Sequence, residues 1–447
     1  MTKAGASDVA ARGRCGPGVG LRRFTSHELG ATAVAAAAMV ATLPGRTHGL
    51  GLVTEPILAD LVLDRVAFAA LNFWTTILGA AFCLPVGSIV DRLGAGRALA
   101  VTLAALGGVV VAMAGLGPRP AAFPLPAPDW IVGGKAATVA VPGLLFLLVL
   151  LTRGLGQSSL SVESLAIVGK AAGDRPGRVI GLYSFLVAIG FMAAFVVVKR
   201  AFIDLGLSWR SVWCALGISL LVFAAVAPFL RTEGPRAGDA TEPAAARGAT
   251  LAAALATPAF WVFALATSFY GLVAAGLSLF NESLLAERGF ERSVFLSITA
   301  ISPLIGLAAN LAGGWLAGRL PLGWIAGVAL LLQGAALAAF PRVGTLPAVY
   351  AYAAVMGVAG GLLTVVFFSV WRQAFGAAHL GAIQGAAQAL TVLASAAGPL
   401  VLAVGQKAAG SYAPVVVRLA GVSLAFAFAA FLVPLPRPVA FEESAPS

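Results

Sequence analysis

An arginine and a histidine lie two residues apart inside a long apolar run, Leu43-Pro44-Gly45-Arg46-Thr47-His48-Gly49. A guanidinium presents a planar fork of donors that grips a carboxylate through two parallel hydrogen bonds. An imidazole titrates near neutral pH and can carry a proton. A charge near the middle of a membrane costs about 2.5–3.5 kcal/mol on insertion scales, so it needs a reason to be there. Pro44, Gly45 and Gly49 should loosen or kink a helix, and irregular backbone at membrane depth is tolerated where it lines a water-filled cavity. Arg46, Thr47 and His48 are therefore candidates to face a polar path and bind a solute. The competing readings are an Arg46 that snorkels to the surface and a His48 that is hydrogen-bonded and structural.

Arg153 and Gln157 are four apart, hence on one helical face, and either line the path or brace neighbouring helices. Gln384 and Gln388 repeat the spacing; buried amides either bind a ligand or hold helices together. Tyr270, Asn281, Asn72 and Asn310 are further polar residues within apolar runs. Carboxylates are scarce there: Glu163 stands alone, and Glu55 and Glu282 flank run ends. A dedicated acid relay is thus poorly supported, and a coupled proton is expected to travel with the solute or on His48. The three histidines, His27, His48 and His379, are far apart and form no metal-binding or acid–base constellation. No enzyme activity, cofactor or metal is expected, and a membrane-embedded transferase ranks last among the functions weighed. A channel would want a filter loop or a ring of charge, and neither is present.

The elements that position these residues follow from composition. The chain has 447 residues, 60% hydrophobic and only 11% charged, with a mean hydropathy of +0.96. Soluble chains carry about 25% charge, so this one is read as a polytopic membrane protein. Three cysteines cannot build a disulfide framework, and Cys83 and Cys214, inside apolar runs, are expected to be small buried residues. The basic residues are scattered between apolar runs, which suits lipid headgroups and not nucleic acid.

A membrane helix needs about 20 apolar residues. By that measure spans fall at 30–52, 67–89, 98–117, 138–163, 179–198, 211–230, 258–280, 293–315, 322–340, 347–369, 381–404 and 414–434. The fold expected is an all-α membrane protein of about twelve transmembrane helices. Residues 231–250 are polar and lack large apolar side chains; this linker divides the chain into a tail 1–29, six-helix bundles 30–230 and 251–436, and a tail 437–447. Proline-rich 118–137 is expected to form an irregular external loop, with Trp130 at the headgroups. The excess of Lys and Arg places both termini and the linker in the cytoplasm, and the cell membrane is the expected site. Gly87-Ser88-Ile89-Val90-Asp91-Arg92-Leu93 recurs as Gly314-Trp315-Leu316-Ala317-Gly318-Arg319-Leu320, each copy following the second span of its half. Such repeats are a mark of secondary transporters.

The stretch from Gly87 through Asp91, Arg92 and Gly94 to Arg97 resembles the signature loop of the major facilitator superfamily. The resemblance implies two pseudo-symmetric six-helix bundles, and a gating role for these five residues. Arg153-Gly154-Leu155-Gly156-Gln157 is similar to the superfamily's helix 4 pattern. Trp209-Arg210, Thr257-Pro258-Ala259-Phe260-Trp261, Phe375-Gly376, His379-Leu380-Gly381 and Ala397-Gly398-Pro399 resemble the monocarboxylate-porter and oxalate–formate-antiporter branch. In that branch a basic residue near a helix 1 proline binds an anion, which implies this role for Arg46. A second basic residue usual in helix 8 is missing, so a monoanion is favoured over a dicarboxylate. Gly190-Phe191-Met192 lacks the Gly-Pro of drug antiporters, leaving an exporter of drug-like or neutral metabolites as the alternative. The implied protein is a symporter-like carrier of a small monocarboxylate, a monomer surrounded by lipid, with substrate binding by Arg46, Thr47, His48, Tyr270, Gln384 and Gln388.

Overall fold

The computed structural model describes residues 25–83, 86, 93–117, 122–127, 137–172, 176–230, 248–376 and 379–436. Residues 1–24 and 437–447 of the tails, most of the 231–250 linker, Trp130, and Gly87, Asp91 and Arg92 of the signature loop lie outside them. Helix α1 (Ser26–Ala41) starts at a reciprocal cap: the Thr25 hydroxyl accepts from Glu28 N, and Glu28 Oε2 accepts from Thr25 N. It stops where Pro44, which has no N–H to give, enters a single 3-10 turn, Leu43–Gly45. Arg46 is fully extended (φ −93°, ψ 152°), and short helices α2 (Thr47–Gly51) and α3 (Thr54–Leu61) follow. The expected kink in the first span is therefore a complete break.

Helix α4 (Arg65–Ala80) is capped by Asp64, and α5 (Ala95–Ala114) starts at Gly94. Next come strands β1 (Ala122–Ala127) and β2 (Ala137–Pro142). They pair antiparallel with Pro124 opposite Ala140 and Pro126 opposite Thr138. This corrects the irregular loop expected there. The alternating Ala137-Thr138-Val139-Ala140-Val141 favours a strand, and a two-stranded ribbon has only edges, where proline is tolerated. Trp74 Nε1 on α4 pins the hairpin by donating to Pro126 O at 2.6 Å.

The fourth span begins as α6 (Gly143–Thr152), widens into a π turn over Arg153–Leu160, and resumes as α7 (Ser161–Ala172). The π turn holds Gly154 and Gly156, and Ser159 Oγ donates to the carbonyl of Gly154. Such turns recur at functional sites. The remaining helices are α8 (Pro176–Ile203), α9 (Trp209–Val226), short α10 (Leu251–Leu255), α11 (Pro258–Glu287), α12 (Arg292–Ala317), α13 (Leu322–Ala339), α14 (Leu346–Phe375), α15 (Leu380–Ala409) and α16 (Ala413–Leu432).

Among the described residues eleven helices are long and apolar enough to cross a membrane, or twelve if α3 and α4, bent at 117°, form one broken span. Large apolar side chains such as Val197, Val222, Leu311 and Phe428 are exposed, as expected of a surface that faces lipid. The same physics corrects the burial expected of the cysteines. Cys83 is exposed and Cys214 half-buried, because hydropathy alone does not separate a lipid-facing position from an interior one.

Two glycines allow close crossings at the break. A Cβ on Gly45 would lie 2.2 Å from Thr152 O, where the break meets the π turn. One on Gly51 would lie 2.0 Å from Ser278 O of α11. Overpacking costs about 1–3 kcal/mol. Gly51→Ala is expected to lower the apparent melting temperature in detergent, whereas Gly30→Ala, with nothing within 4 Å of its Cβ, should not.

Candidate functional site

Breaking the first span frees backbone groups that must find partners in an apolar medium. Arg153, 2% exposed, supplies one. Its Nη1 donates to Gly45 O (3.0 Å), Thr47 Oγ1 (3.0 Å) and Gln157 Oε1 (2.9 Å), and Nη2 donates to Asn72 Oδ1. One guanidinium thus ties the break, the π turn and α4 together. Arg153 bonds across to α4 through Asn72 and to the break, and to Gln157 within its own π turn.

Arg46 is held differently. Its Nε donates to Thr42 Oγ1 (2.5 Å), and Nη2 donates to Met39 Sδ (2.8 Å) and Ser161 Oγ (3.1 Å). The Phe191 ring centroid lies 5.7 Å from Cζ. All these partners are neutral, and Nη1 makes no hydrogen bond among the described residues. Arg46, Thr47 and His48 are each half-buried. The His48 ring packs edge-on against Phe191 (5.3 Å) and Phe195 (5.7 Å), and makes no hydrogen bond among the described residues. Neither Arg46 nor Arg153 pairs with a carboxylate among the described residues. The break therefore gathers two guanidiniums whose partners are neutral, an arrangement that favours an anion.

The structure brings Arg46, Thr47, His48, Arg153 and Gln157 into one cluster. No hydrogen bond among the described residues joins Tyr270, Gln384 or Gln388 to it. Tyr270 on α11 sets its hydroxyl against α14, where a Cβ on Gly360 would fall 2.2 Å away. Gln384 is half-buried and Gln388 exposed on α15. Of the signature loop, Gly94 has φ +79°, a conformation that suits glycine, and Arg97 is exposed on the first turn of α5. Sequence reasoning missed Met39, Thr42, Ser161, Phe191 and Phe195. Thr42 and Met39 stand one and two turns before Arg46, a spacing that could have shown them; Ser161 carried no such signal.

At the hairpin end, contacts close α1–α9 onto α10–α16. Arg292 of α12 donates through Nη2 to Leu52 O (2.8 Å), lies 3.2 Å from Glu282 Oε1, and stacks 4.3 Å from the Phe202 ring centroid. Lys199 Nζ donates to Ser297 Oγ (2.9 Å), and Lys407 Nζ sits 3.7 Å from Asp64. Nearby, Glu55 pairs with Arg65 at 2.6 Å. Trp209 Nε1 donates to Asp60 at 2.6 Å and, with Arg210, holds that carboxyl below the usual carboxylate range against the burial that opposes it.

The family model of the Major Facilitator Superfamily matches residues 33–399. The chain belongs to the major facilitator superfamily. It is a multi-pass membrane transporter and not an enzyme. Similar solved structures include a bacterial homologue of the human lysosomal transporter Spinster, inward-facing and unoccupied: 16% identity, TM-score 0.69, covering 95% of this chain and 99% of that one. A D-xylose–proton symporter gives 16% identity and TM-score 0.66 over 92% and 99% of the chains. The nucleoside transporter NupG gives 16% and 0.61 over 92% and 100%. These likenesses show the superfamily fold. No curated protein matches the sequence.

Two outcomes follow from the geometry. Arg153→Ala strips partners from Gly45 O and Asn72, at about 1–3 kcal/mol for each group left unsatisfied; a lower apparent melting temperature is expected, with little rescue by Arg153→Lys, whose point charge lacks the planar fork. With the native cysteines replaced by serine, a cysteine at Ser278 should react faster with a water-soluble maleimide when Arg292→Ala is added. An unchanged rate would mean that Arg292 does not hold this end shut.

Proposed function

We propose that the protein carries a small organic anion, a monocarboxylate above all, by alternating access, with Arg46 as its anchor. The supporting observation is that, among the described residues, a guanidinium at the broken first span has only neutral partners and no hydrogen bond at Nη1. A carboxylate there would gain a charge-assisted hydrogen bond and supply the missing counter-charge. Thr47 and His48 adjoin the anchor, and Tyr270, Gln384 and Gln388 from the second bundle complete the site when the bundles close around the solute. Residues 30–230 and 251–436 are the moving bodies, joined through 231–250. The hairpin end is external, both termini are cytoplasmic, and the cell membrane is the location. The contacts of Arg292, Lys199 and Lys407 then hold the external side closed. The protein works as a monomer among lipids.

A second reading is favoured by one feature: Arg46 already spends three hydrogen bonds on protein atoms. A neutral polar solute, as carried by the xylose and nucleoside transporters of the same fold, would need only the remaining donor.

The test is uptake of labelled lactate and pyruvate into proteoliposomes. Losing a hydrogen bond between charged groups costs about 1.5–3 kcal/mol, so Arg46→Gln should raise KM about tenfold or more, with Arg46→Lys between it and the native protein. Equal kinetics for all three would remove Arg46 from the site.

A further inference from the structure

Glu163 is a carboxylate with no basic partner among the described residues. It sits on α7 and is 2% exposed. Thr102 Oγ1 of α5 donates to Oε1 at 2.7 Å, and Oε2 is buried without a hydrogen-bond partner. No basic side chain approaches it among the described residues. Of the described charged and titratable groups on the elements packed against α7, Arg46 and Tyr183 engage its other side chains, Glu28 of α1 accepts from Thr25 N, Arg153 of the π turn holds Gly45 O, and Arg97 of α5 is exposed. Arg46, at the break after α1, holds Ser161 (3.1 Å), and Tyr183 of α8 lies 2.9 Å from Ser164 Oγ, which itself donates to Ala35 O (2.7 Å). From α5 the contact to Glu163 is the neutral Thr102.

An isolated carboxylate in such a medium costs far more than one neutral hydrogen bond returns, and it takes up a proton instead. The ionised form needs water, so α5 and α7 must part before the proton can leave. The same helical turn carries Ser161, a partner of Arg46. Movement of α7 that wets Glu163 also shifts the hydroxyl holding the anion anchor.

We propose that Glu163 binds the proton coupled to transport, taking it up as α5 and α7 close around it and releasing it as they part. The step is a simple protonation: H⁺ adds to the buried carboxylate oxygen, and water carries it off. This deepens the carrier reading and rests on it for the coupling, though not for the protonation itself. His48, wedged between two phenyl rings beside two guanidiniums, is not the proton carrier in this scheme. That departs from the expectation drawn from the sequence.

Two measurements separate the proposal from the reading beneath it. The first needs no substrate: the infrared difference spectrum of purified native protein minus Glu163→Gln at neutral pH. A protonated-carboxyl stretch lost in the variant is expected; its absence from the native protein overturns the proposal. The second uses proteoliposomes with lactate. Glu163→Gln, a fixed neutral mimic, should retain counterflow while losing proton-driven accumulation at least tenfold, and Glu163→Asp should keep a pH-dependent accumulation. Accumulation in Glu163→Gln equal to native, with the same pH profile, also overturns the proposal. If the native protein shows no counterflow of lactate or pyruvate, the monocarboxylate reading fails, and the infrared band still decides the protonation of Glu163.

Discussion

The bond from Arg153 Nη1 to the carbonyl of Gly45 is the interaction on which the site depends. A membrane helix cannot be cut at mid-depth unless the freed backbone groups are satisfied. Pro44 makes the cut, and Arg153 answers it from the fourth span while also holding Thr47, Gln157 and Asn72. The π turn that carries Arg153 contains two glycines, and Gly156 fits against Gly45 closely enough that a Cβ on it would lie 3.1 Å from the Gly45 Cα. Break and π turn are therefore complementary in shape and in hydrogen bonding.

Once the break is secured, its first extended residue, Arg46, need not hold the backbone. The two arginines divide the labour by environment. The buried one has polar oxygen partners on three elements and acts as a fastener. The half-buried one rests on a thioether, two hydroxyls and a phenyl ring, partners that position a cation without cancelling its charge. In the proposed anion carrier, specificity for charge comes from the lack of a carboxylate partner among the described residues as much as from the donors that are present.

Much of the architecture was legible in the sequence because one property, uninterrupted apolarity, distinguishes a membrane span. Eleven of the twelve runs fall on the long helices, and the run at 67–89 falls on α4, which qualifies only together with α3. Pro44 with Gly45 pointed to a kink where the break lies. The hairpin was not legible, since Pro124 and Pro126 usually argue against a strand and only a two-stranded ribbon excuses them. Arg153 could be singled out as a charge in a span, but its partners lie between four and more than one hundred residues away, and no periodicity links them. Glu163 stood out as the lone carboxylate within the runs, but sequence gives no measure of the dry pocket in which Thr102 holds it. Cys83 was expected to be buried because lipid and protein interior look alike to a hydropathy scale.

The central claim is that the break presents Arg46 to an anion while Arg153 keeps the backbone in place. A structure of the protein with bound lactate, determined in lipid nanodiscs, addresses it most directly. The account predicts the carboxylate within hydrogen-bond distance of Arg46 Nη1, with the Arg153 contact to Gly45 O intact. Lactate seated wholly among α11, α14 and α15, or an Arg46 turned outward into the acyl chains, would contradict it.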